Sequence, residues 1–138
     1  MLGKKRYQIS MDYRLAIATI GLLNILRGIG YYIFSEKLTL MKFSADTLMS
    51  EETVLVSIEM HKSLAIAILA LGIIIFFLKD LNRYYANKLF AGITIAYFIS
   101  FLNSIIQTLF GLITIPYITI LFFFLTFLYS LIAYLRTK

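Results

Sequence analysis

From Leu89 to Leu135 the chain runs 47 residues without a single Asp, Glu, Lys or Arg, and no other feature limits its folding so sharply. As one helix that run would be about 70 Å long at 1.5 Å per residue, more than twice the ~30 Å hydrocarbon thickness of a bilayer. It must therefore turn once. "FGLITIPY" supplies the turn: Gly111 can end a helix, Thr114 can cap the next, and Pro116 suits a first helical turn. Helices are expected at about 87–110 and 115–136.

Two further crossings lie upstream. "YRLAIATIGLLNILRGIGYYIF" (13–34) is apolar except for Arg27 near its middle, and Ser63–Leu78 is a run of sixteen uncharged residues that extends back to Glu51 as a helix at about 51–79. Ser50 can cap that helix, with Glu51 and Glu52 in its first turn at the positive end of the dipole. With 61% hydrophobic and 14% charged residues and a mean hydropathy of +0.88, the composition is far from that of soluble domains. The expected fold is all-α: a single integral membrane domain of four transmembrane helices in an up-down-up-down bundle, with an interfacial connector over residues 35–50. Helices in lipid associate through small residues, which the first two supply as Gly21 and Gly28, then Ala65, Ala67, Ala70 and Gly72. The fourth, "ITILFFFLTFLYSLIAYL", is bulky all round, so it is expected to be the most lipid-exposed, with Tyr129 and Tyr134 in an interfacial belt.

Basic residues set the expected orientation. Nine Lys and Arg fall in the amino-terminal segment, the connection after the second helix and the tail, against Lys37 and Lys42 in the first connection and none in the 111–116 turn. By the positive-inside rule both termini are expected to be cytoplasmic. The net charge of +6 is thereby distributed as insertion requires, not as a nucleic-acid stripe. The basic-then-apolar start imitates a secretory signal, but Arg27 interrupts it and no small-residue cleavage site follows, so it is expected to stay. With no cysteine, the chain has neither disulfide nor thiolate chemistry.

Arg27 is the strongest functional signal, because a charge within a crossing normally faces the bundle interior or a water-filled cavity and finds a partner there. Counted from Arg14, it lies about 20 Å deep; counted from Lys88, Asn103 lies about 22 Å and Gln107 about 28 Å deep. Ser100, Asn103, Ser104 and Gln107 recur at three- and four-residue spacing and make one polar stripe. Asn24, one turn before Arg27, completes a cluster in the outer half of the bilayer, and Asn24 and Asn103 are expected to be nearer partners for Arg27 than Glu59. The cluster serves either as interhelical glue or as an outward-facing binding pocket. Glu59 and Lys62, three residues apart, are expected to pair at the rim, with His61 beside them as a candidate pH-sensitive gate or a merely solvated side chain.

Nothing else points to chemistry. His61 has no second histidine and no cysteine to complete a metal site, no serine has both a histidine base and an orienting acid by spacing, and "RGIG" is no phosphate-binding loop. No catalytic residue, metal or cofactor is expected.

The basic start, a first crossing ending "GYYIF", the segment "SEKLTLMKFS", the entry "EMHKS" into "LAIAILALG" and two closely coupled final crossings together resemble the DoxX-like small bacterial four-helix membrane proteins. The resemblance spans about residues 13–136. It implies a four-helix inner-membrane protein, some relatives being associated with quinone-linked oxidoreductase complexes, and it carries over Glu59 and Lys62 as candidate site positions. The residues themselves favour a non-enzymatic binding or accessory protein that holds a lipid-like or amphiphilic ligand among membrane lipids, alone, as a homo-oligomer or within a larger membrane complex. The alternatives are a small oligomeric transporter, against which no acid sits at the midplane, and the membrane subunit of a quinone-linked oxidoreductase complex.

Overall fold

The computed structural model describes residues 12–42, 50–110 and 115–138, and every element among them is helical. The helices are α1 (Tyr13–Ile33), α2 (Ser35–Lys42), α3 (Glu51–Phe77, continued by a 3₁₀ turn over Leu78–Asp80), α4 (Arg83–Phe110) and α5 (Tyr117–Thr137). Four of them, all but α2, are long and apolar enough to cross a membrane. The expected turn residues Gly111 and Thr114, and connector residues 43–49, lie outside the described residues.

Helix ends follow local chemistry. The Asp12 carboxylate accepts from Arg14 N–H at 3.0 Å and starts α1, and Ser50 caps α3 as expected, its hydroxyl accepting from Thr53 N–H. The third crossing begins at Arg83, four residues before the expected start. Asn82 is the cause: its side chain accepts from Tyr85 N–H and its carbonyl from Ala86 N–H, so a basic stretch read as loop becomes the first turn. Pro116 stands just before α5 rather than inside it, as its N-cap. The 35–50 connector departs most from expectation in its first half, which forms α2, a separate helix packed on α3 with Ser35 and Thr39 buried.

The bundle is built from two tight pairs. Along α1 and α3 the backbones touch: a Cβ added at Gly21 would lie 2.6 Å from Phe76 N, one at Gly28 2.7 Å from Leu69 N, and one at Gly72 2.6 Å from Ile25 N. Only glycine permits that approach. The second pair, α4 and α5, is joined by polar contacts: Thr94 Oγ1 lies 3.1 Å from Ser130 Oγ, Asn87 donates to the Tyr134 carbonyl, and Arg83 donates to the Thr137 carbonyl at the negative end of α5. The expectation that the fourth crossing is the most lipid-exposed is corrected here. Its apolar span is 22% buried, against 17% for those of α3 and α4, because Thr126, Ser130, Ala133 and Thr137 form a small-residue face between its aromatic rings.

The two pairs meet through α1, which packs against both α4 and α5, while α3 and α4 hardly touch. Their shared core, centred on Ile17, Ile20, Ile75, Phe90, Ile93 and Tyr97, fills the half of the bundle nearer the amino-terminal end of α1. Beyond Asn24 and Tyr97, and along the seam between α3 and α4, close packing gives way to cavities.

Candidate functional site

Where packing stops, Tyr97 on α4 donates its hydroxyl to Asn24 Oδ1 at 2.6 Å, and Asn24 Nδ2 donates to the Ile20 carbonyl. Asn24 is thus buried with both ends of its amide in use, and its partner is Tyr97, not Arg27. One turn further on, Arg27 projects into the opening. Its guanidinium carbon lies 4.5 Å from the Phe123 ring centroid, 4.9 Å from that of Tyr31 and 5.2 Å from that of Phe122. It lies at the 3.5 Å limit of a hydrogen bond to the Tyr31 hydroxyl, and its Nε is buried with no acceptor among the described residues.

Magnitudes show what this arrangement lacks. An arginine near a helix centre costs about 2.5–3.5 kcal/mol on insertion scales, and a desolvated cation–π contact returns about 2 kcal/mol, so three rings can hold the charge. Their faces are poor hydrogen-bond acceptors. A guanidinium carries five N–H donors, and a buried donor left unmet costs about 1–3 kcal/mol. The missing component is an oxygen acceptor.

A cavity of about 550 Å³ opens beside Arg27, within the range of small-molecule sites. All four residues of the α4 stripe, Ser100, Asn103, Ser104 and Gln107, line it together with Arg27, Tyr31, Lys42 and His61. The Ser100 and Ser104 hydroxyls donate to the Ala96 and Ser100 carbonyls and so present lone pairs, whereas the Asn103 and Gln107 amides have no protein partner among the described residues. Arg27 therefore shares its cavity with Asn103 and Gln107, as depth along the helices predicts, but bonds to neither.

Lys42 supplies a second cation from the end of α2. Its Nζ lies 2.6 Å from His61 Nε2, and His61 Nδ1 lies 2.8 Å from the Ser57 carbonyl and 3.1 Å from Thr39 Oγ1. A carbonyl only accepts, so Nδ1 carries the proton and Nε2 accepts from the ammonium. His61 thus bridges α2 and α3, its side-chain partners being Lys42 and Thr39 rather than Glu59 or Lys62. Burial holds the Lys42 ammonium below the usual lysine range; Tyr31 opposes that shift and the Arg27 charge adds to it. Among the described residues no carboxylate lines the cavity.

The remaining expected pair stands apart. Lys62 and Glu59 form an ion pair at 2.7 Å on the exposed face of α3, with the Glu59 side chain 70% exposed, and neither lines the cavity. Among the described residues no group of His, Asp and Glu is placed to hold a metal. The sequence reading missed Tyr97, Tyr31, Phe122, Phe123, Thr39 and Lys42. Tyr97 was within reach of it, since 97, 100, 104 and 107 continue the α4 stripe one turn inward; the others come from packing between helices.

Two apolar grooves adjoin the cavity, and Arg27 borders both. One of about 480 Å³ runs between α3 and α4, and one of about 640 Å³ lies between α1, α2 and the start of α5. No protein-family profile, curated protein or solved structure matches this chain, so the chemistry of the site rests on its own residues.

Proposed function

We propose that this chain is a non-enzymatic binding protein of the bacterial inner membrane, whose outward-facing cavity holds the anionic head of an amphiphile between Arg27 and Lys42. The observation that carries the proposal is a guanidinium short of acceptors beside a cavity whose lining, among the described residues, holds a second cation and no carboxylate. An anionic oxygen in the cavity would accept from the guanidinium, relieve the repulsion between the two cations and restore the Lys42 charge that burial disfavours. The Asn103 and Gln107 amides add neutral donors at the same depth. A quinone head would offer acceptors but no charge for Lys42, which makes the anion the better fit.

The topology proposed with it is an up-and-down bundle with both termini cytoplasmic. The nine-to-two distribution of Lys and Arg supports the orientation. The helix registers support the up-and-down order: Gly21 meets Phe76 while Gly28 meets Leu69, and Arg83 meets Thr137 while Thr94 meets Ser130.

The test is thermal unfolding in a neutral maltoside detergent with added dodecyl phosphate, dodecylphosphocholine or dodecyltrimethylammonium. Dodecyl phosphate alone should raise the midpoint, increasingly with concentration as linkage requires, and Arg27→Gln should remove the rise. An equal rise with the zwitterionic or cationic amphiphile, or a rise that survives Arg27→Gln, would overturn the proposal.

A further inference from the structure

The α3–α4 groove is open for a reason that the other helix contacts make visible. Gly21, Gly28 and Gly72 are spent on backbone contact at 2.6–2.7 Å, whereas a Cβ added at Gly92 would meet nothing within 4 Å. Gly92 and Ala96 are one turn apart on α4 and face Ile68, Leu71 and Ile75 across an unfilled trough. In lipid such small faces normally draw helices together; here α3 and α4 stay apart. The trough is continuous with the polar cavity, since Arg27, Ser100 and Phe123 line both. From Ser100 back to Lys88, which lines its far end, it follows twelve residues of α4, about 18 Å by helix rise, close to the ~15 Å of one hydrocarbon leaflet.

We propose that this trough holds the hydrocarbon chain of the anionic amphiphile whose head sits at Arg27, so that the ligand class is a long-chain alkyl or acyl phosphate or carboxylate with its chain laid between α3 and α4. This rests on the head-site reading given above. Its course selects the trough over its neighbour: it leads from the guanidinium along α4 for about one leaflet's length, whereas the α1–α2–α5 groove, which like the trough has one lysine besides Arg27 in its lining, lies beside the head cavity. Because the chain leaves lipid or detergent rather than water, burial of apolar area contributes little, and shape decides binding. A side chain that fills the trough should therefore expel the ligand chain without disturbing the head site.

Gly92 and Gly30 make that test clean, because neither would bring a new Cβ within 4 Å of a neighbour, and Gly30 lines only the α1–α2–α5 groove. The full chain in neutral detergent is titrated with tetradecyl phosphate and with inorganic phosphate, with binding read by native mass spectrometry and thermal shift. Gly92→Leu should weaken tetradecyl phosphate about tenfold or more, the scale of overpacking a fitted site, and leave any binding of inorganic phosphate as in wild type, while Gly30→Leu changes neither. Ala96→Leu fills the same trough one turn away and serves in its place should Gly92→Leu fail to fold. Unchanged tetradecyl phosphate binding in the trough variant, or loss in Gly30→Leu instead, overturns the chain assignment while Arg27→Gln still abolishes binding. Inorganic phosphate binding as tightly as tetradecyl phosphate overturns it too, leaving a small-anion site. If Arg27→Gln leaves tetradecyl phosphate binding intact, it is the head site that fails.

Discussion

Gly28 and Gly30 are two residues apart on α1, and alanine should act on them with opposite sign. In both places the substitution removes glycine's conformational penalty, about 0.8–1.0 kcal/mol in a helix. At Gly30 nothing opposes it, because the new Cβ meets no atom within 4 Å. At Gly28 the Cβ would lie 2.7 Å from Leu69 N and Cβ and 2.9 Å from the Ala65 carbonyl oxygen. Ordinary van der Waals separation begins near 3.4 Å, so α1 and α3 must part by about 0.7 Å. A gap of about 0.5–1 Å forfeits a quarter to a half of each atom-pair attraction along the seam. Lipid offers no hydrophobic compensation, and overpacking of this kind costs about 1–3 kcal/mol. Net stability should rise by up to about 1 kcal/mol in Gly30→Ala and fall by up to about 2 kcal/mol in Gly28→Ala. Since the conformational gain is common to both, the difference between the variants isolates the seam at about 1–3 kcal/mol. Reversible denaturant unfolding in mixed micelles measures it. Agreement of the two variants within about 0.5 kcal/mol, the usual scatter of neutral surface changes, would refute the account of α1–α3 packing.

Three further outcomes are expected. Asn24→Leu strands the Tyr97 hydroxyl and should cost about 1–3 kcal/mol, whereas Asn24→Leu with Tyr97→Phe should cost less than the sum of the single changes; additivity in a double-mutant cycle would mean that the 2.6 Å bond contributes nothing. Because the folded protein holds Lys42 below its ordinary value, the unfolded chain binds more protons between the lowered and the ordinary lysine value, so stability should rise with pH across that window. Below the window both states are protonated and the penalty is fully present; Lys42→Met should flatten the rise, and an unaltered pH profile in that variant would count against the buried ammonium. For topology, the absence of native cysteine permits single thiols: one at Glu36 should react with an impermeant reagent outside intact cells and one at Asn82 should not, and labelling at Asn82 would reverse the orientation.

The number and approximate limits of the crossings were legible because they depend on quantities that add along the chain. A 47-residue charge-free run exceeds one bilayer whatever its neighbours do, and the Ser50 cap with Glu51 and Glu52 behind it acts within a single turn. Depth was legible for the same reason: helix rise is fixed, so Arg27, Asn103 and Gln107 could be placed near one level and do share a cavity. Rotation and partnership were not. A helix uniformly apolar in lipid has no face that must turn inward, so its setting is decided by where backbones interlock, as Gly21 does with Phe76 and Gly72 with Ile25. That interlocking turned Asn24 to Tyr97, surrounded Arg27 with three aromatic rings instead of amides, and exposed α3 and α4 more than the bulky α5. The folding back of α2, which carries Lys42 to His61, likewise depends on a surface that exists only once α1 and α3 have packed. The sequence by itself thus determined how many times this chain can cross and how deep its polar groups lie, because those follow from length and composition. Which of them face one another was decided by tertiary structure, because in lipid the fit of small residues against backbone, rather than the exclusion of water, sets how each helix turns.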